Sequence, residues 1–476
     1  MKCKILNKLN NLPLGLRASI AYFFASVVTV GISYIITPLY TRMLSTEEYG
    51  QVSVFLTWVQ IFGIVAMFCL SYGVFNNGML DYSDRRDDYS FSMLVLSNII
   101  TVVVFIIVLL VYPMIKPLIG LDIPLIVLMF ISFLFQPAYN FWVARQRYEY
   151  KYKTMMIWAI VSAVFSTVVT VISILLFDKG ERLYPRIFGT EITLIIIYIG
   201  FYVYLGIKNK WKVTPMYWKG ALLFNLPLIP HYLSTYLLGS SDKVMISYLV
   251  SDTATAYYSV AYSVASVVTI IWSAINGTLL PFTYEKCKEE NYKAINDVTL
   301  PILLLLAVCC VILIMLAPEV VWIMAAKEYS EAVYAIPPIV GGVFFQMQYY
   351  VYANIVYYYK KPKYVMAGSV SAMLLNIILN YIFIGKYGYI AAGYTTLFCY
   401  LLQALIDYVA MRHVVGKDVY NMGFIFTLSC SVIAIALLSN FVYHLTFVRY
   451  VVLFIIFIFT IIFRKRIINL FCMMKQ

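Results

Sequence analysis

LPLIPHYLSTYLLGSSDK, Leu226 to Lys243, lies inside a long apolar run yet carries two prolines, a histidine and an adjacent aspartate–lysine pair. A proline in a helix interior costs about 3 kcal/mol. A charge at the centre of a bilayer costs roughly 2.5–3.5 kcal/mol even on the lenient insertion scale. What surrounds this stretch decides how it is read. The chain has 476 residues, 63% of them hydrophobic and 12% charged, whereas soluble domains carry about 25% charged residues. A water-soluble globule is excluded.

Apolar runs of roughly 18 residues or more read as membrane spans. They number about fourteen, from 18–40 through 51–73, 91–112, 123–143, 154–177, 185–206, 220–248, 256–280, 298–317, 332–358, 364–384, 389–411 and 422–443 to 447–463. The expected fold is an all-α polytopic membrane protein. Lysine and arginine fix its orientation. When loops are assigned alternately to the two sides, 26 of the 35 basic residues fall with both chain ends and 9 fall opposite. Both termini are therefore expected in the cytoplasm. The net charge of +13 then reflects topology and contact with anionic lipid, not nucleic-acid binding.

The first run lacks a small-residue cleavage site and reads as a retained anchor, not a signal peptide. The eight cysteines show no CxxC spacing and read as small apolar fillers. No metal site is expected. No GxxxxGK[ST], HExxH or GxSxG is present, so nucleotide-driven transport in cis and hydrolase chemistry lack their residues. Loops are expected to be short, the longest being NNGMLDYSDRRDDYS and PFTYEKCKEENYKAIND. The first contains an acidic run whose own arginines neutralise it, and it reads as a solvated loop.

The chain repeats itself. MLSTEEYGQVSVF (Met43–Phe55) aligns with LVSDTATAYYSVA (Leu249–Ala261) at an offset of 206, pairing Ser45 with Ser251 and Ser53 with Ser259. KYKTMMIWAIVSAVFSTVVT (Lys151–Thr170) aligns with KPKYVMAGSVSAMLLNIILN (Lys361–Asn380) at 210, pairing Ser166 and Thr170 with Asn376 and Asn380. An offset of six spans preserves direction, so the halves are parallel repeats. Such repeats build transporters whose central cavity opens alternately to each side. The expected division is a first lobe over 1–215, a second over 216–415, and two extra spans with a cytoplasmic tail over 416–476.

Pro227 and Pro230 are expected to kink the seventh span, which requires protein or water to satisfy the freed carbonyls. His231 follows the kink. Asp242 and Lys243 admit two readings. One is an interfacial ion pair with Lys243 snorkelling outward. In the other, Lys243 offers positive charge to an anionic substrate, with Asp242 as its partner or as a cation site. Arg42 ends the first span at roughly the related place. Glu191 and Asp407 could carry a coupling proton, but their places near span ends favour anchoring. Asn376 and Asn380 suit hydrogen bonding between helices. The 43 tyrosines suit interface belts and, where they line a cavity, sugar surfaces.

LPLIPHYLSTYLLGSSDKVMI, with AYYSVAYSVASVV and LLPFTYEK, resembles the second lobe of bacterial polysaccharide repeat-unit flippases, the Wzx-like polysaccharide transporters of the MATE-related MOP superfamily. YYYKKPKYVMAGSVSAMLLNIILNYIFIGKYGYIAAGYTTLFCY resembles their tenth to twelfth helices. TPLYTRMLSTEEYGQVSVF resembles their Arg–x–Leu–x–x–x–x–aromatic–Gly signature. The resemblance implies a cationic cavity that turns over undecaprenyl-pyrophosphate-linked oligosaccharide from the inner to the outer leaflet of the bacterial cell membrane. It implies that Arg42 is the signature arginine and that Asp242 with Lys243 is the family's Asp–Arg/Lys pair. Ala256 departs from the glycine common at its place, which puts a tight turn there in doubt. The implied partners are the lipid-linked glycan, the bilayer, and a polysaccharide polymerase with its chain-length machinery. The implied energy source is H+, Na+ or the membrane potential, with no cofactor and no enzyme activity. Rivals are a MATE-type drug/cation antiporter, a lipid II flippase and a membrane polysaccharide polymerase. The antiporter needs acidic pockets that the chain offers sparsely. The polymerase usually needs a large outer loop, and every outer loop here is short.

Overall fold

A computed structural model describes residues 31–458 apart from 33 and 150. The basic tails, Arg17, Cys3 and Cys472 lie outside the described residues. Within them the regular structure is helical, with no strand. In hydrocarbon a helix satisfies its own backbone groups and an open strand does not.

Helix α1 ends at residue 43 and is described over 31–32 and 34–43. It is followed by α2 Thr46–Ala66, α3 Gly73–Asp81, α4 Arg86–Ile119, α5 Ile123–Tyr148, α6 Tyr152–Leu175 and α7 Leu183–Lys208. Then come α8 Trp218–Asn225, α9 Ile229–Leu249, α10 Asp252–Lys288, α11 Tyr292–Met315 and α12 Ala317–Met324. The rest are α13 Ile336–Tyr358, α14 Pro362–Tyr387, α15 Tyr389–Val415, α16 Met422–Val442 and α17 Thr446–Ile458. Ten of the described helices are long and apolar enough to cross a membrane. The segment Pro215–Asn225 and α9 add a span bent by 53°. With α13 and the described parts of α1 and α17, each of the fourteen expected runs coincides with a helix or that bent pair. This is a multi-pass membrane protein.

The bend falls at residues 226–228, where Pro227 lies between the helices and Pro230 sits in the first turn of α9. Neither proline has an N–H to continue the ladder. The chain forms two compact units, Met1–Leu233 and Ser234–Gln476. The boundary lies within α9, beyond the expected division at 215. In the second unit α13 is buried along nearly its whole length, and α16 packs against α11 and α13. The thirteenth span is thus built into this unit.

Both expected long loops are largely helical. Residues 76–90 form the end of α3, a short 3-10 turn and the start of α4. Val74, Phe75, Gly78 and Met79 form a buried face despite the polar composition. The acidic run does more than face solvent. Asp87 pairs with Arg145 of α5 and, at 3.2 Å, with Lys208 of α7. Asp88 accepts from Thr214 at 2.6 Å and Tyr217 at 3.1 Å. Glu149, just past α5, pairs with Arg145 at 2.5 Å and Lys151 at 2.6 Å. Burial raises the pKa of its carboxyl, but the hydrogen bonds from Lys151 and Arg145 outweigh that and hold it below the ordinary value. In 281–297 only residues 289–291 separate α10 from α11.

The repeat is visible in the capping of α2 and α10. Ser45 Oγ accepts from Glu48 N at 3.2 Å, and Ser251 Oγ accepts from Ala254 N at 3.1 Å. Ala256 lies in the second turn of α10 and is fully buried, as is Gly50 in α2. The doubt about a tight turn is removed, because both positions are helical. A small side chain there answers to packing.

Candidate functional site

Asp242 sits three turns into α9 and is fully buried within the second unit. Three side chains from three other helices donate to its carboxylate. Tyr258 Oη of α10 and Thr396 Oγ1 of α15 bond Oδ2, the latter at 2.7 Å. Asn380 Nδ2 of α14 bonds Oδ1 at 2.5 Å. Further side-chain hydrogen bonds hold these donors in place. Asn380 Nδ2 also bonds Asn376 Oδ1 at 3.0 Å, and Asn376 Nδ2 bonds Thr396 Oγ1 at 3.0 Å. Thr395 Oγ1 donates to Asn380 Oδ1 and to Ala392 O.

A buried charge costs several kcal/mol unless paired or well bonded. Here the bonding partners are all neutral. Among the described residues Asp242 makes no ion pair with its neighbour Lys243, so the interfacial pair is not formed. Lys243 instead places Nζ 5.2 Å from the ring centroid of Tyr262, a cation–π distance. The site is one carboxylate whose oxygens accept from two hydroxyls and one amide N–H. One buried negative charge among neutral donors is uncompensated, and a proton or a single positive charge would neutralise it. The described residues contain no group of three or more His, Cys, Asp or Glu fit to hold a metal ion, so a multi-carboxylate divalent site has no ligands among them.

The repeat tests whether the fold requires this cluster. At offsets of 206 and 210, Asp242 corresponds to Ile36, Tyr258 to Val52, and Asn380 to Thr170. Ile36 packs in an apolar cluster with Tyr40, Leu44, Val171 and Ile174. Thr170 bonds Thr190 at 2.8 Å, in the place where the second unit brings α14 to α15. One lobe therefore stands without the carboxylate. The polar site in the other is an addition to the fold.

The remaining sequence candidates are dispersed. Arg42 is exposed at the end of α1, with Nη1 donating to Pro38 O at 2.9 Å. His231 is half-buried in the first unit, its ring beside Tyr232, which packs on Tyr72 at 5.4 Å. Glu191 and Asp407 are buried inside their units, which does not fit interfacial anchoring. Glu191 is bonded by Ser132. Among the described residues, both carboxylate oxygens of Asp407 lack a hydrogen-bond partner. Sequence reasoning missed Tyr258, Thr395 and Thr396. Thr395 and Thr396 lie in the stretch that resembles the tenth to twelfth helices of the flippases, but nothing in it points at a residue 154 positions away.

Residues 16–286 match the family described as polysaccharide biosynthesis protein, and residues 227–382 match the MatE family. The chain is 22% identical over 380 residues to Lsg locus putative protein 1 of Haemophilus influenzae Rd, covering 75% of this chain and 88% of that one. Among solved structures, lipid II flippase MurJ in an inward closed conformation aligns over 95% of this chain and all of its own, with a TM-score of 0.67 at 17% identity. An inward-facing multidrug resistance MATE family transporter of the MOP superfamily aligns over 82% of this chain and 95% of its own, with a TM-score of 0.64 at 12% identity. At such identities these two structures share the fold with this chain.

Proposed function

Because the chain belongs to the polysaccharide biosynthesis protein family, we propose that it flips undecaprenyl-pyrophosphate-linked oligosaccharide repeat units from the cytoplasmic to the outer leaflet of the bacterial cell membrane. The units would feed assembly of a capsule, O-antigen or exopolysaccharide, with a polymerase and its chain-length machinery acting after transfer. The family match over more than half the chain carries this reading.

The physics supports it. A pyrophosphate cannot cross hydrocarbon unaided, so basic groups must replace its water. Arg42, exposed at the end of α1, and Lys243, set over Tyr262, are the proposed phosphate contacts. Asp242 and its shell are the proposed coupling site, taking H+ or Na+ as the lobes alternate. The potential supplies about 2.3 kcal/mol per charge per 100 mV. Both termini would lie in the cytoplasm.

The test is a strain lacking this gene with its upstream glycosyltransferases intact. The expected result is accumulation of an undecaprenyl-pyrophosphate oligosaccharide facing the cytoplasm, together with loss of a surface glycan. Reintroduced Arg42→Ala or Lys243→Ala should restore less than a tenth of the glycan while reaching normal membrane levels. The MatE match over 227–382 favours a second reading, cation antiport. An unchanged lipid pool with new sensitivity to cationic drugs would decide for it.

A further inference from the structure

The geometry points to a binding site for the pyrophosphate-proximal sugar, built wholly from the first unit. This rests on the flippase reading and names residues that it does not use. A cavity of about 580 Å³ lies between α2, α5 and α6, within the ordinary size of a small-ligand site. Its α5 wall is one helical stripe, in which Gln136, Tyr139, Asn140, Val143 and Arg147 recur at three- and four-residue spacing. Gln60 of α2 joins from the facing wall.

Three features mark this as a built site and not a packing gap. First, the amide side chains of Gln60, exposed, and of Gln136 and Asn140, half-buried, line the cavity without a hydrogen-bond partner among the described residues, on helices that cross the membrane. An amide at that depth must meet water or a ligand. Second, the floor is irregular backbone. The chain leaves helix between α2 and α3, with Phe68 and Cys69 at φ of 54° and 50°. Freed carbonyls there are taken up by Thr101, which bonds Ala66 O, and Asn225, which bonds Phe68 O, each at 3.0 Å. Non-helical backbone persists at membrane depth where protein satisfies it or where it lines a water-filled cavity; here Thr101 and Asn225 satisfy it and Met67, Cys69, Ser71 and Tyr72 line the cavity.

Third, the lining includes a cation and, among the described residues, no carboxylate. That composition does not suit a cationic drug. Each amide both donates and accepts, as a sugar hydroxyl does, and the Tyr139 ring offers a flat apolar face to its C–H groups. Arg147 lies seven residues beyond Asn140, about 10 Å along the helix, at the end where basic residues concentrate. Its guanidinium suits phosphate oxygens. A lipid-linked glycan would hold its pyrophosphate near Arg147 at headgroup level, with the first sugar reaching inward to Asn140, Gln136 and Gln60.

The experiment uses the full-length protein in nanodiscs. The probes are undecaprenyl pyrophosphate and the same carrier bearing one N-acetylglucosamine, glucose or galactose. The wild type should bind at least one single-sugar lipid about tenfold more tightly than the bare carrier. Gln136→Leu combined with Asn140→Leu should abolish that gain while leaving bare-carrier binding within about twofold, which also reports a folded protein. Arg147→Gln should weaken bare and single-sugar lipids by the same factor, about fivefold or more. A wild type without any sugar-dependent gain overturns the proposal, as does a double variant that keeps the gain. A wild type that binds none of these lipids overturns the flippase reading and the proposal together.

Discussion

Asp242→Asn is expected to reach the membrane at close to wild-type amounts and to slow flipping about fiftyfold. Asparagine nearly matches aspartate in shape and removes only the charge. Its oxygen can still accept from Tyr258 and Thr396, and the Asn380 and Asn376 amides can rotate to meet its NH2 group. What is lost is the charge that would draw a proton or Na+ into the shell. One charge moved through 100 mV supplies about 2.3 kcal/mol, a bias of roughly fiftyfold. Asp242→Ala separates structure from charge, because it strips the acceptor from three buried donors at about 1–3 kcal/mol each. It should therefore lose folded protein as well as transport. The measurement is the glycan restored to the deletion strain per unit of membrane protein. Transport by Asp242→Asn within twofold of wild type would remove Asp242 from coupling. In proteoliposomes, dependence of the wild-type rate on a sodium gradient at fixed pH would name the ion as Na+. Dependence on a pH gradient without sodium would name H+.

The spans were legible because bilayer thickness acts on every helix alike, so an apolar run of the right length has little else to be. The bend at Pro227 was legible because proline removes a donor wherever it sits. Asp242 stood out for a similar reason, as a charge in an apolar run. Its partners did not. Tyr258 is one of 43 tyrosines, and its role depends on α10 lying beside α9 at the right rotation. Thr396 is 154 residues away from the carboxylate it bonds. Residues 76–90 misled for the opposite reason. Their asparagines, aspartates and serines read as loop, while the four residues that bury α3 are spread through the stretch from 74 to 79 and are too few to form an apolar run.

Glu48 was equally hidden, within a signature whose arginine drew attention first, and its replacement should have the largest effect on stability. Glu48→Ala is expected to lower the stability of the detergent-purified protein by about 3 kcal/mol or more and to reduce its membrane level severalfold. The carboxylate is buried and accepts three backbone N–H groups. Ser45 N bonds Oε2 at 2.7 Å, completing a capping box at the start of α2. Gly180 N and Arg182 N bond Oε1 at 3.1 Å and 2.5 Å. Arg182 returns the link by donating to Met43 O at 2.6 Å. One side chain thus closes α2 and ties it to the turn before α7. A cap alone is worth about 0.5–2 kcal/mol, and each further bond to a charged group adds about 1.5–3 kcal/mol. Alanine would leave all three donors without their acceptor. Glu48→Gln keeps an oxygen for Gly180 and Arg182 but turns its NH2 toward Ser45 N–H, so its loss should be nearer 1 kcal/mol. Thermal unfolding of the two variants beside Arg42→Ala separates the roles inside the signature. Glu48→Ala should fall steeply, Glu48→Gln partly, and Arg42→Ala hardly at all, because its guanidinium is exposed. Equal stability in Glu48→Ala and wild type would mean that the turn before α7 holds without this carboxylate.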